Sequence, residues 1–505
     1  MHNLARLMAA LQHDDAQQPP AAPREHRFWR TQPVVQPGER ADDAPGAIHA
    51  PLAPEQVRAE PYALPADFEW VTLDIEDDAQ LREVYELLTA NYVEDDDATL
   101  RFDYSPAFLR WALRHPGYVR EWHVGVRVVS TRKLVAFIAG IPQELRVREQ
   151  VFRATEINFL CVHKRLRSKR LAPVLIKEVT RRCHLSGVFQ AIYTGGAVLP
   201  TPVSCARYYH RTLDAAKLLD IGFSAVPHGM SRAEHMRRFA LPDAPRLPLR
   251  EMTEADVPQV GRLVRRYMAR FDLAARFTDV EIAHMLLSGR GTDVGGGRRE
   301  GQVTWTYVVE EAGRIRDVVS FYSLPSTVLD HPRHSALHAA YLFYYATEVG
   351  GEAPAQSEVP SGPSPFAAAR AAGRPVWECS ELSSLTPREA ADEAGVVPWH
   401  AESPDVREAL KTRLNALMHD LLVMARRHGF DVVNCLTAMD NALFLHEQKF
   451  GPGDGFLRFY LFNWRVPPVP GGMGARVGES ALDPAAHAAR MPVSLFGCGN
   501  GIVMV

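Results

Sequence analysis

Two halves of this 505-residue chain carry similar elements in the same order. Residues 73–92 (LDIEDDAQLREVYELLTANY) and 251–271 (EMTEADVPQVGRLVRRYMARF) each set an Asp ahead of apolar residues at helical spacing. Asp78 and Asp256 are therefore expected to start helices. LVAFIAGIP (134–142) echoes VVSFYSLP (318–325). Each follows an apolar stretch, 124–129 and 307–309, and a polar turn, which predicts hairpins. Two helical stretches, 174–185 and 414–428, each run into a glycine and then a strand. Finally IGF (221–223) matches KFG (449–451). Any α/β chain aligns loosely with itself, but four elements repeating in one order favour duplication. The expected fold class is α/β (α+β): tandem units around a central twisted sheet with pseudo-two-fold symmetry, 24–240 and 241–505.

Composition narrows the function. The formal charge of −3, from 57 basic and 60 acidic side chains, speaks against a dedicated nucleic-acid binder. No apolar run is long enough to span a bilayer, so no integral membrane segment is expected. Residues 1–18 lack a secretory pattern. Six cysteines, at 161, 183, 205, 379, 435 and 498, form no Cys-x-x-Cys pair, so neither a metal site nor a redox motif is expected. A reducing cytoplasmic compartment fits them. Residues 1–23 are expected to be disordered. Residues 350–404, rich in Ala, Pro, Gly, Ser and Glu, read as a surface insertion, as do 289–301 and 466–488.

The chemistry concentrates in EINFLCVHKRLRSKRLAPVLIKEVTRRCHL, residues 156–185. Residues 156–162 form an apolar strand and 163–170 a strongly basic loop. Pro173 sits where a helix begins, so its missing N–H costs nothing. Free backbone N–H groups, a helix dipole and guanidinium forks together make an anion site. Read alone, HKRLRSKR would equally suit a solvated loop, a nuclear-localisation signal or an RNA patch. The preceding strand and following helix favour a pyrophosphate. The second half keeps the helix (SPDVREALKTRLNALMHD, 403–420) and lacks the basic loop, so one such site per chain is expected.

The order of elements resembles GNAT-type acyltransferase units, and Arg167-x-x-Arg170-x-Ala172 resembles their CoA pyrophosphate loop, with Arg where Gly is more usual. The resemblance then becomes specific. Together with 156–182, FWRTQP (28–33), EPYALP (60–65), NYVEDDD (91–97), RFDYSP (101–106) and WALRHPG (111–117) are similar to the signature of eukaryotic N-myristoyltransferases. In the second half SFYSLPST (320–327), HAAYLFYY (338–345), GFDVVN (429–434) and KFGPGDG (449–455) match as well.

That resemblance implies transfer of myristate from myristoyl-CoA, a co-substrate rather than a prosthetic group, to the amine of an N-terminal glycine. It implies an oxyanion hole from the backbone N–H groups of Phe159 and Leu160. A strand bulge would leave these amides unpaired. It implies CoA contacts from Arg27, Phe28 and Trp29, from Leu160, Cys161 and Val162, and from Arg167, Ser168, Lys169, Arg170, Leu171 and Ala172. The base it implies is the carboxylate of Val505, consistent with the apolar ending GNGIVMV, and Thr194 would help hold the amine. Peptide contacts implied are Tyr92, Asn158, Tyr208, His210, Ser326, Tyr341 and Asp454. The acidic Glu94, Asp95 and Asp97 would face basic substrate residues. The partners implied are myristoyl-CoA and glycine-first peptides, with no nucleic acid, and the protein is expected to be a monomer. Other readings are an acetyl-CoA enzyme acting on another amine, a non-catalytic peptide- or lipid-binding module, and a covalent route through Cys161.

Overall fold

The computed structural model describes residues 26–39, 45–93, 99–295, 298–349, 371–372, 384–472 and 497–505. The tail 1–23, the acidic run 94–97 and most of the 350–404 and 466–488 stretches lie outside them.

A 13-stranded mixed sheet dominates. Its strands are β1 (Phe68–Thr72), β2 (His123–Val128), β3 (Leu134–Val147), β4 (Gln150–Val162), β5 (Gln190–Gly195), β6 (Ser204–Thr212), β7 (Leu249–Glu251), β8 (Leu273–Arg276), β9 (Thr304–Glu311), β10 (Arg314–Ser323), β11 (Ala339–Thr347), β12 (Val432–Leu436) and β13 (Gly451–Phe462). In space they run β1-β2-β3-β4-β5-β13-β6-β12-β11-β10-β9-β7, with β8 paired to β3 off that path. The order is palindromic about the β13–β6 pair. Each side contains one parallel pair, β4–β5 and β11–β12. The last strands are exchanged: β6 of the first half pairs with β12, and β13 of the second half with β5.

The helices repeat likewise. α1 (Asp78–Asn91) and α2 (Pro106–Leu113) belong to the first half. α3 (Leu171–Leu185) crosses from β4 to β5, as α5 (Pro404–Arg427) does from β11 to β12; α4 (Val257–Met268) matches α1. Both crossover helices end on a left-handed glycine, Gly187 (φ +75°) and Gly429 (φ +80°). In each, the glycine N–H and the next N–H turn back to the helix: Gly187 to His184 O and Val188 to Cys183 O, Gly429 to Arg426 O and Phe430 to Ala425 O. These bonds satisfy carbonyls that the helix end would otherwise orphan. α3 packs Leu175, Val179 and Cys183 on Val124, Val126 and Ile138 to form a separate apolar cluster; the other face of the sheet joins the main core.

The helix starts gain detail, and one expected match fails. α1 starts at Asp78, as expected, and Asp77 is its cap, accepting from Ala79 N (2.8 Å) and Gln80 N (3.3 Å); Asp78 pairs with Arg110. Asp256 stands at the N-cap position of α4, as expected, and also closes a capping box with Thr253, which caps the short 3-10 turn Glu254–Asp256 before it. The IGF–KFG match fails: Ile221–Phe223 follow a short helix after β6, whereas Lys449–Gly451 lead into β13. Residues 384–404, the described end of the expected insertion, are mostly exposed or half-buried, and Glu389 is the buried one. Glu389 and the side chain of half-buried Glu402 reach inward, engaging Arg265 and Arg270 of the α4 region. Residues 289–301 include a small hairpin, Thr292–Gly295 with Arg298–Glu300.

Candidate active site

At β4 the ladder to β3 slips. Ala139 faces Asn158 and Phe137 faces Cys161, so Phe159 and Leu160 have no partner residues across the ladder. Phe159 adopts φ +57°, a left-handed conformation that costs a bulky residue energy. Its ring is held by Tyr92 and Tyr104, with centroids 6.1 and 5.6 Å away. Beyond Ile157 and Tyr193, β4 and β5 no longer pair. The parallel strands thus part at the bulge.

The pocket that opens there encloses about 1350 Å³ of empty space, its open mouth included. Trp29, Tyr92, Asn158, Phe159, Leu160, Thr194, Tyr208, Tyr341 and Val505 all line it. One arm runs between sheet and helix, walled by Ile138, Ile157, Ile176, Val179 and Val188. The other is aromatic, with Tyr104, Tyr208, Tyr322 and Tyr341; the last two stack at 5.3 Å. Trp29 stacks on Tyr193 at 5.4 Å, fixing the short turn that also carries Arg27 and Phe28. Met504 is buried, and Val505 sits half-buried on the wall.

The basic loop follows β4 directly. Ser168 and Arg170 take positive φ (+64° and +59°), and no side chain caps α3 at Arg170. Leu171 and Ala172 open the helix, and Ser168, Lys169 and Arg170 are exposed. A helix start without a side-chain cap, set beside exposed cations, favours an anion. Asn91 ties the loop to α1: its Oδ1 accepts from Lys164 N (3.0 Å) and its carbonyl from Arg167 Nη2 (2.6 Å).

Burial governs the titratable groups. It pushes the Cys161 thiol up to about 12 and the Glu156 carboxyl up to about 7. Glu156 accepts from Asn158 Nδ2 (2.8 Å) and from Gln143. His210 is pushed down to about 4, with Nδ1 2.7 Å from Asn434 Oδ1.

Some expected residues stand apart from the pocket wall: Cys161, Val162, the 167–172 loop, His210, Ser326 and Asp454. His210 Nε2 and Ser326 Oγ are buried without a hydrogen-bond partner among the described residues. Sequence reasoning did not find Tyr193, Tyr104, Tyr322, Asn91 or the acyl-sized apolar wall. The wall residues Ile176 and Val179 sit at i, i+3 of α3, a spacing that ordinary core residues share.

A bulged strand beside a parting parallel pair, with a basic loop opening the next helix, is the architecture of an acyl-CoA-dependent transferase. Residues 47–206 match the family described as Myristoyl-CoA:protein N-myristoyltransferase, N-terminal domain, and 220–483 match its C-terminal domain. The chain belongs to this family of acyltransferases. A glycylpeptide N-tetradecanoyltransferase of Mycosarcoma maydis is 58% identical over 553 aligned residues, covering 100% of this chain and 78% of that one. One of Schizosaccharomyces pombe is 43% identical, covering 93% and 90%. A crystal structure of Saccharomyces cerevisiae N-myristoyltransferase with bound myristoyl-CoA superposes with a TM-score of 0.79 at 38% identity, covering 99% of both chains.

Proposed function

We propose that this protein transfers myristate from myristoyl-CoA to the α-amino group of an N-terminal glycine by direct attack. The observation that carries the reading is one pocket lined by the Phe159–Leu160 bulge, Thr194 and Val505. The first half holds the acyl-CoA. Lys169, Arg170 and the start of α3 take the phosphates, Arg27 to Trp29 the CoA, and the apolar arm the chain. About twelve methylenes at roughly 0.8 kcal/mol each contribute on the order of 10 kcal/mol, enough to select a long acyl group. The peptide lies in the aromatic arm, where Tyr322 and Tyr341 of the second half meet Tyr104 and Tyr208 of the first.

The glycine amine, with an ordinary pKa near 7.8, reaches its neutral form for about 1 kcal/mol at pH 7. A weak base therefore suffices, and the Val505 carboxylate is that base, with Thr194 and Asn158 positioning the amine. The amine attacks the thioester carbon. The N–H groups of Phe159 and Leu160 stabilise the oxyanion, each such donor being worth about 3 kcal/mol. The C–N bond forms, the C–S bond breaks, and the departing sulfur receives the proton. Cys161 is not the nucleophile, because a thiol pushed up to about 12 is almost wholly protonated at neutral pH. The protein works as a cytoplasmic monomer.

Mass spectrometry of a glycine-first peptide incubated with myristoyl-, palmitoyl- or acetyl-CoA tests the reading. An amide-linked myristoyl adduct that an alanine-first peptide does not form is expected. Equal use of acetyl-CoA, or no transfer with intact acyl-CoA binding, would overturn it in favour of a GNAT-like acetyltransferase or a binding module.

A further inference from the structure

The last nine residues form no helix or strand beyond isolated bridges at Cys498 and Asn500, and most of them are buried. Cys498, Asn500, Ile502 and Met504 point into the core, all at most 8% exposed. The alternate positions are Gly497, Gly499, Gly501 and Val503, and each of the three glycines meets a specific wall. A β-carbon on Gly497 would run into the Trp399 indole. One on Gly499 would stand 2.5 Å from the Asp272 carboxylate, and one on Gly501 2.7 Å from the Phe271 ring. Neighbouring backbone holds the upstream part: Gly499 N to Pro470 O (2.8 Å), Leu273 N to Gly499 O (2.9 Å), Met439 N to Asn500 O (2.7 Å) and Gly501 N to Leu273 O (2.8 Å).

Past Gly501 that backbone support ends. Among the described residues, the last hydrogen bonds before Val505 come from one phenol. Val503 N donates to Tyr344 Oη (3.1 Å), and Tyr344 Oη donates to Val503 O (3.3 Å). Tyr344 is itself fixed. Its ring meets Phe277 edge-on at 5.0 Å, and its carbonyl accepts from Ser320 Oγ at 2.6 Å. It also occupies a telling place in the repeat. Val319 pairs with Tyr345 and Phe321 with Leu342, so Phe343 and Tyr344 form a bulge on β11 matching Phe159 and Leu160 on β4.

We propose that Tyr344 is a positioning residue for the acyl transfer: the bulge of the second half, instead of facing a thioester, grips Val503 and so sets where the terminal carboxylate stands. This rests on the reading of the Val505 carboxylate as base. A base must lie within hydrogen-bond reach of its proton, so slack two residues upstream moves it out of range. Replacing Tyr344 by Phe keeps the ring and removes both bonds.

Tyr344→Phe and a deletion of Met504 and Val505 are compared for turnover, acyl-CoA affinity, peptide KM, thermal stability and hydrogen exchange of the terminal amides. For Tyr344→Phe, kcat should fall about tenfold to a hundredfold, as a small misplacement of a reacting group does. Acyl-CoA affinity, peptide KM and melting temperature should hold, and the Val503–Val505 amides should exchange faster. If the deletion abolishes transfer while Tyr344→Phe matches wild type in kcat and exchange, Tyr344 does not position the terminus and the base reading stands. If the deletion leaves transfer intact, the base reading itself falls and takes this proposal with it. Loss of acyl-CoA affinity in parallel with kcat would mark Tyr344 as merely structural and also overturn the proposal.

Discussion

Burial decides the proton inventory of individual side chains here. His115, His123 and His210 are pushed down to about 4 and His284 to about 3, all chiefly by desolvation. Folded, they stay neutral; unfolded, they bind protons below about 6.5. Stability therefore falls as pH drops from about 6.5 towards 4. Glu156 and Glu281, raised to about 7 and 8, act oppositely, because the folded state holds their protons over much of that window. Four groups oppose two, so the histidines win, and urea titrations should give a lower unfolding free energy at pH 5 than at pH 7. Equal or greater stability at pH 5 would contradict these assignments. Cys161 belongs to the same class of effect. Cys161→Ser should retain transfer, and intact-mass spectrometry should find no acyl-enzyme on the native protein. Little of this was legible beforehand: a histidine in a string of letters does not reveal whether water reaches it.

Among the elements, the crossover helices show what local sequence specifies well. Gly187 and Gly429 were readable as ends because only glycine takes left-handed φ without strain. Gly429→Ala should cost about 1–2 kcal/mol, read as a lower urea midpoint with unchanged acyl-CoA affinity, since β12 lies away from the phosphate loop. The bulge at Phe159 and Leu160 was expected only through the family resemblance, which implies free amides at those two positions. Helix starts were less sharp. With Asp77 and Asp78 adjacent, composition cannot say which carboxylate turns back to the amides, and the structure chose Asp77. Residues 384–402 carry contacts that their composition does not show. Their composition suits a surface loop, yet Glu389, Asp392 and Glu402 are the counter-charges of the buried Arg265 and Arg270. Such pairing is set by tertiary contact and leaves no local pattern.

On the scale of the molecule, duplication was legible and strand exchange was not. Hydrophobic periodicity identifies a strand without naming its neighbour. Because β6 and β13 swap sides, neither half closes its own sheet. Unfolding by urea should accordingly follow one cooperative transition, seen alike by tryptophan fluorescence and far-ultraviolet dichroism; two separated transitions would contradict the exchange. The exchange also places the site. It sets β6 and β13 at the centre, and Tyr208 on β6 and Leu457 on β13 line the pocket beside the first half's bulge and Val505. The most direct test is a single-turnover comparison of the protein ending in a free carboxylate at Val505 with a semisynthetic copy ending in an amide. The account predicts unchanged myristoyl-CoA binding and a transfer rate about 10²–10⁴ lower for the amide. Equal rates would contradict it.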